Sequence, residues 1–274
     1  MLKKLLKYDL RAIFRYWWIV ALVSVGMAVL GGFAQNIRKN IEAPEVITLV
    51  AGIIVFFTYF CMVGLVLLTQ ILLFIRFYRN FFTDEGYLTF TLPVKRETLF
   101  NSKVLAGMIG IAASIGVCML NAAIIIRIVF HQQILSGEFA QEISEFFMEM
   151  PPDVAQYLLL YSLEALIILA LLMTLSVLFL YCCITFGSMI VKKGKLFASI
   201  GIYYGASCIA TTATQILLIF GVGSIGVWLE PLSEQLIPNL VALLLLIAIL
   251  LLAMLCSLIY AFTHWMLGRK LNLS

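Results

Sequence analysis

The sequence has few charged residues for its length. Of its 274 residues, 12% are Asp, Glu, Lys or Arg and 64% are apolar, against averages of about 25% and about 45–50% in soluble proteins. So few charges could not cover that much apolar surface in water, which excludes a soluble fold. Disordered segments combine low hydrophobicity with high net charge, so disorder is excluded as well. We therefore expect a membrane protein that crosses the bilayer several times.

Motifs of catalysis and cofactor binding are also missing. The chain has two histidines, neither with a partner at metal-ligand spacing, and no H-E-x-x-H or G-x-S-x-G motif occurs. The stretch from Gly187 to Lys195 comes near a P-loop, but six residues separate its glycines where four are required. The G-x-G-x-x-G match at 221–226 lacks a βαβ context, so we expect a flexible turn there. The sequence predicts no enzymatic activity, metal site or bound cofactor in this chain.

The cysteines give no sign of a disulfide framework. All six lie in apolar stretches, and none lies in a predicted outer connection. The adjacent Cys182 and Cys183 could bind a metal or carry a lipid. Packing of small residues between helices is the simpler interpretation.

Six apolar stretches are long enough to cross a bilayer as helices, which takes about 20 residues each. Because each is continuous rather than alternating, barrel strands are excluded. The predicted fold is an all-α polytopic membrane protein with a single transmembrane domain over residues 1–274. The fourth stretch would be about 57 Å long as one helix, so it should tilt, break or project from the membrane. The stretches cover about residues 17–35, 46–75, 104–130, 154–191, 196–220 and 240–267.

The N-terminal residues 1–16 have a different pattern. Leucine and isoleucine recur at helical spacing, and five Lys and Arg residues supply a polar face. This pattern predicts an amphipathic helix that lies on an anionic membrane surface. A secretory signal peptide is the alternative, since Gly32-Phe33-Ala34 loosely resembles a cleavage site. The long basic segment favours an uncleaved first span.

The positive charges predict the orientation. Fifteen of the 18 Lys and Arg residues lie in the N-terminal segment, the connections 76–103 and 192–195, and the C-terminal tail. Only Arg38 and Lys39 flank the spans on the other side. Since Lys and Arg next to spans stay inside, both termini are predicted to be cytoplasmic. The outer connections are acidic instead.

Two charged residues interrupt the apolar stretches. Arg127 lies near the outer end of the third stretch, and Glu164 lies about three turns into the fourth. Charges at such depth are costly, which makes both residues functional candidates. One hypothesis is that they form an ion pair in the outer half of the membrane. The alternative is that Arg127 snorkels to the surface and Glu164 faces a polar pathway.

The outer connection at 131–153 is the longest on its side. Within it, residues 136–150 carry apolar and acidic side chains on separate helical faces, with Ser136 as a possible cap and Pro151 at the end. This predicts a short helix on the outer interface, and a gate or lid is the alternative.

A G-x-x-x-G motif in the fifth span allows close helix packing. It consists of Gly201 and Gly205, and small neighbours extend its character. Packing inside one subunit and a contact between subunits are both consistent with it.

The most informative segment is the cytoplasmic connection 76–103. It alternates charges with large aromatic residues, and Thr83-Asp84-Glu85-Gly86 has turn chemistry. Pro93 is well placed to open the helix that enters the third span. This pattern indicates a surface for binding another protein. The aromatic residues are Phe77, Tyr78, Phe81, Phe82, Tyr87 and Phe90.

Within this connection, residues 84–94 read Asp-Glu-Gly-Tyr-Leu-Thr-Phe-Thr-Leu-Pro-Val. With Arg96 and Lys103 following, this string resembles permease subunits of ABC-2 type transporters from Gram-positive bacteria. The basic N-terminus and the six spans fit that family over essentially the whole chain. One departure is the short connection 221–239, where some members have large re-entrant helices.

The resemblance implies two permease subunits that pair with two cytoplasmic ATPase subunits and export a substrate across the bacterial plasma membrane. ATP would bind to the partner subunit, and residues 1–16 would be the connecting helix. The expected partners are this ATP-binding subunit, a second permease subunit and membrane lipids, with no nucleic acid. The coupling residues that the resemblance implies are Arg79, Asp84, Glu85, Gly86, Tyr87, Thr91, Leu92 and Pro93.

Two other functions stay open at this point. A membrane sensor or an assembly subunit of a larger complex would also have six spans and a binding surface on one side. A secondary transporter would need ion-binding residues near the midplane, and only Glu164 approaches that. The sequence does not specify the substrate or choose between a homodimer and a heterodimer.

Overall fold

The computed structural model describes residues 2–40, 44–83, 96–137, 140, 141, 144, 145, 148, 152–190, 195–229 and 237–270. In these residues the chain is helical, without strands, and six helices are long and apolar enough to cross a membrane. The predicted all-α polytopic fold is confirmed. The helices are α1 (Leu2–Asn40), α2 (Glu45–Phe82), α3 (Arg96–Val129), the short α4 (His131–Ser136), α5 (Pro152–Ile190), α6 (Lys195–Leu229) and α7 (Ile237–Lys270).

The helices extend beyond the predicted apolar stretches. The N-terminal segment 1–16 is not separate from the first span, because α1 runs from Leu2 to Asn40 without a break. Its basic residues are exposed and Ile13 is buried, so the segment keeps its two faces. The fourth stretch does not break either, since α5 is a single helix of 39 residues, about 58 Å long.

The expected turn at 221–226 is instead helical, because α6 continues to Leu229. Glycine costs about 1 kcal/mol in a helix relative to alanine. In a membrane, however, the backbone groups must be bonded within the chain, and a helix achieves this without outside partners. The apolar residues around these glycines therefore favour helix over turn.

The outer connection begins differently from the prediction. Ser136 is the last residue of α4 rather than the cap of a following helix. Gly137 ends α4 with a φ of 79°, the left-handed conformation in which glycine is favoured. The Gln141 amide then donates to the Gly137 carbonyl at 3.0 Å, and residues 140, 141, 144, 145 and 148 are helical. The rest of the predicted 136–150 helix lies outside the described residues.

The described residues fall into two compact units. The first comprises residues 1–76 and 94–149, and the second comprises residues 77–93 and 150–274. In the first unit α1 packs along α3, around a core of Trp17, Ala21 and Leu65. In the second unit α5 packs against both α6 and α7.

A glycine allows the close approach of α5 and α6. A Cβ atom at Gly187 would lie 2.6 Å from the Ser199 Cα. The Ser199 hydroxyl also donates to the Ile184 carbonyl at 3.2 Å, which joins the two helices. Any side chain at residue 187 would therefore push the helices apart.

Candidate functional site

A buried ion cluster lies in the first unit, where α1, α2 and α3 meet. Asp9 Oδ1 accepts a hydrogen bond from Lys103 Nζ at 2.6 Å and another from Arg76 Nε at 2.9 Å. Arg76 Nη2 lies 2.7 Å from the same oxygen and donates to the Tyr8 carbonyl at 3.1 Å. We call Asp9, Arg76 and Lys103 the Asp9 cluster. It joins one residue of α2 and one residue of α3 to a single carboxylate on α1.

The three members of the Asp9 cluster differ in their access to solvent. The exposed fraction of the side chain is 3% for Asp9, 10% for Lys103 and 27% for Arg76. Among the described residues, Asp9 Oδ2 has no hydrogen-bond partner. Two cations around one buried carboxylate repay its desolvation, whereas loss of a partner leaves an uncompensated charge. The cluster is therefore sensitive to the removal of any single charge.

The position of the Asp9 cluster relates it to the connection 76–103. Arg76 and Lys103 are the first and last residues of the connection that the sequence predicts between the second and third apolar stretches. Both are bound to Asp9 of α1. The two ends of the predicted coupling segment are thus fastened to the N-terminal helix.

Of the predicted coupling residues, the structure describes only Arg79. Arg79 is exposed on the last turns of α2, and its carbonyl accepts a hydrogen bond from the Thr83 hydroxyl at 2.6 Å. The other predicted coupling residues lie outside the described residues. These are Asp84, Glu85, Gly86, Tyr87, Thr91, Leu92 and Pro93.

Part of the predicted aromatic binding surface is buried instead. Phe77 and Phe81 are 1% and 6% exposed. Phe77 stacks on Tyr181 of α5, with 4.0 Å between ring centroids and 9° between planes. These rings pack inside the second unit and are not available for another protein. Their role is to hold the end of α2 against α5.

Asp9 was not predicted as a site residue from the sequence. A signal was nevertheless present, because Asp9 is the only acidic residue among the first 40 and stands in the apolar stripe of Leu2, Leu5 and Ile13. An acidic residue on the buried face of a basic amphipathic helix needs a cation on the facing helices. The sequence alone did not indicate that Arg76 and Lys103 would pair with Asp9.

Further polar contacts follow α1 along the first unit. Trp17 Nε1 donates to the Thr69 hydroxyl at 3.1 Å and to the Ser114 hydroxyl at 3.0 Å. Farther along, Asn121 Nδ2 donates to the Ser24 hydroxyl at 2.5 Å. The Thr58 hydroxyl bonds the Met27 carbonyl at 2.9 Å. Helix α1 is thus joined to α2 and α3 at several depths below the Asp9 cluster.

The two intramembrane charges have contrasting environments. Arg127 is exposed near the end of α3, which is consistent with snorkelling. Glu164 is 8% exposed, and its Oε2 has no hydrogen-bond partner among the described residues. Arg127 belongs to the first unit and Glu164 to the second. Their ion pair stays a prediction.

The G-x-x-x-G motif of α6 lies on an exposed helix face in the part of the chain that the structure describes. Gly201 and Gly205 are exposed on α6, and within the described residues no heavy atom comes within 4 Å of a Cβ built at either glycine. Packing inside one subunit therefore stays a prediction as well, without a neighbouring atom at either glycine among the described residues. A contact between subunits stays a prediction.

No metal-binding group of three or more His, Cys, Asp or Glu side chains occurs in the part of the chain that the structure describes. All six cysteines are free. Comparison with protein-family models, curated proteins and solved structures finds no significant match. The membrane-spanning fold and the Asp9 cluster are the features of the described chain that bear on its function.

Proposed function

We propose that this chain is the membrane-spanning permease subunit of an ATP-driven exporter of the ABC-2 type. It would sit in a bacterial plasma membrane, pair with a second permease subunit and bind a separate cytoplasmic ATPase. The chain would have no catalytic site of its own. The proposal is supported by the resemblance of residues 84–94 and by the six spans.

The observation that carries the proposal is the Asp9 cluster. A coupling segment can act on the spans only if its movement is passed to them. Arg76 and Lys103 delimit the segment, and both bind Asp9. A push on the segment would thus reach α1, α2 and α3 together rather than bend one helix. Coupling of this kind needs a contiguous network with two arrangements, and the Asp9 cluster would be its first link.

In the proposed mechanism, the ATPase supplies the difference in free energy between the two states. ATP-driven closure of two ATPase subunits would move the coupling segments of two permeases and favour the outward-facing arrangement. The substrate would cross at the interface between the permeases. The permease would convert the movement of the coupling segments into a change in the side of the membrane to which the substrate pathway opens. The partner subunit would hydrolyse ATP.

The first test is copurification. The full chain, expressed in its native membrane with an affinity tag, should bring down an ATP-hydrolysing subunit in a stable ratio. The Glu85→Ala variant should insert normally but lose ATPase binding, because a carboxylate there would pair with a basic group or cap a helix across the interface. Glu45→Ala is the matched control, since it removes the same charge at the predicted outer end of α2.

The outcomes separate the functions. Loss of the ATPase with Glu85→Ala, but not with Glu45→Ala, supports coupling through the segment. Recovery of a partner without ATPase activity would favour a sensor or assembly subunit and refute the exporter. Equal ATPase recovery with both variants would remove Glu85 from the interface.

A further inference from the structure

Glu164 is a buried residue with one carboxyl oxygen, Oε2, that no described residue hydrogen-bonds. It lies about 18 Å along α5 from the start of that helix at Pro152. Only 8% of the residue is exposed, and Oε2 has no hydrogen-bond partner among the described residues. An unpaired charge inside a membrane is costly and is retained mainly where it has a function. Glu164 Oε2 is therefore a candidate contact for a ligand from outside the described chain.

Residues 150–191, which flank Glu164 in the sequence, contain no Lys or Arg. Helix α5 contains no Lys or Arg. In residues 150–274 the five Lys and Arg residues lie at the predicted cytoplasmic ends of α5, α6 and α7. Toward the predicted outer side the sequence instead adds Asp153, Glu230 and Glu234. The charge on this side of the second unit is complementary to a positively charged ligand.

Two tyrosines precede Glu164 on the same face of α5. Tyr161 lies four residues after Tyr157 and three residues before Glu164, so the three share one helix face. Both tyrosines are partly exposed. Their rings stack with 5.9 Å between centroids and 24° between planes. The Tyr157 hydroxyl donates to Asn239 Oδ1 at 2.6 Å, which fixes this end of α5 to α7. The rings thus form a fixed aromatic surface that leads to the carboxyl group.

The geometry points to a binding site for an organic cation, formed by Glu164, Tyr157 and Tyr161. A carboxylate would neutralise the ammonium group, and the tyrosine rings would add cation–π attraction. One carboxylate beside two rings lacks the six to eight oxygen ligands of a calcium site and suits an ammonium group better. This inference rests on the proposed function and names its substrate class as an amphipathic molecule with a cationic group.

The test measures binding without any ATPase. The full chain in nanodiscs of zwitterionic lipid is titrated with radiolabelled tetraphenylphosphonium, and binding to empty nanodiscs is subtracted. Glu164→Gln should weaken binding at least about tenfold, because it removes the negative charge that attracts the cation. Tyr161→Leu should weaken it about threefold or more, whereas Tyr161→Phe keeps the ring and should bind within about twofold of wild type. Glu145→Gln is the matched control, since Glu145 is exposed, and it should bind as wild type.

Several results would overturn the site. These are wild-type affinity in Glu164→Gln, an equal loss in Glu145→Gln, or equal binding of the anion tetraphenylborate. A rise in affinity with Arg127→Met would show that Arg127 already occupies Glu164, which also contradicts the proposal. Because no ATPase is present, failure here leaves the exporter proposal standing. Failure to recover an ATPase would likewise leave the measured binding intact.

Discussion

The Asp9 cluster makes a strong prediction about stability. Asp9→Asn keeps the size of the side chain but removes its charge, so Lys103 and Arg76 lose their carboxylate. Removing one partner from a buried ion pair costs about 3–5 kcal/mol. Arg76 is 27% exposed and can be hydrated, whereas Lys103 is only 10% exposed. We therefore expect Asp9→Asn to lower the free energy of unfolding by about 3 kcal/mol, near the lower end of that range.

A second substitution, Lys103→Met, tests whether Asp9 and Lys103 interact directly. Lys103→Met should lower the free energy of unfolding by less than Asp9→Asn does, because Asp9 keeps its bonds to Arg76. The double variant should be more stable than the sum of the single losses predicts, since it no longer contains a buried, uncompensated lysine. A favourable interaction energy of at least about 1 kcal/mol is expected for groups in direct contact.

The assay is reversible unfolding in mixed micelles, followed by tryptophan fluorescence and circular dichroism. Lys7→Met is the matched control, because Lys7 is exposed on the same helix. Its free energy of unfolding should stay within about 0.5 kcal/mol of wild type. If the Asp9 and Lys103 effects are additive within about 0.5 kcal/mol, the buried pair does not contribute as argued.

Two further predictions test the helix packing and the topology. Gly187→Ala should lower the free energy of unfolding by about 1–3 kcal/mol, because its Cβ would overlap Ser199 on α6. Gly205→Ala has open space around its Cβ and should be neutral or slightly stabilising in the single chain. Equal losses in both variants would contradict this account. In a cysteine-free background, Glu145→Cys should react with an impermeant thiol reagent from outside and Gly194→Cys only from inside. Labelling of both from one side would refute the orientation.

The sequence was sufficient to predict the six spans, because continuous apolar stretches are required by the bilayer itself. The helix ends were predicted less well. Hydropathy marks where a helix leaves the apolar layer, not where it stops, so the fusion of residues 1–16 with the first span and the extension of α6 to Leu229 were missed. Local sequence also cannot show which cation meets Asp9. That partner depends on how α1 packs beside α2 and α3.

The buried polar contacts of the first unit bear on how motion would be transmitted. Between helices in a membrane the hydrophobic effect contributes little, because lipid tails are as apolar as the side chains. Directional contacts then fix how each helix is rotated. The bond of Trp17 to Thr69 and Ser114, and the bond of Asn121 to Ser24, constrain α1 well below the Asp9 cluster. Under the proposed function, these contacts would pass a movement at the Asp9 cluster along α1, α2 and α3.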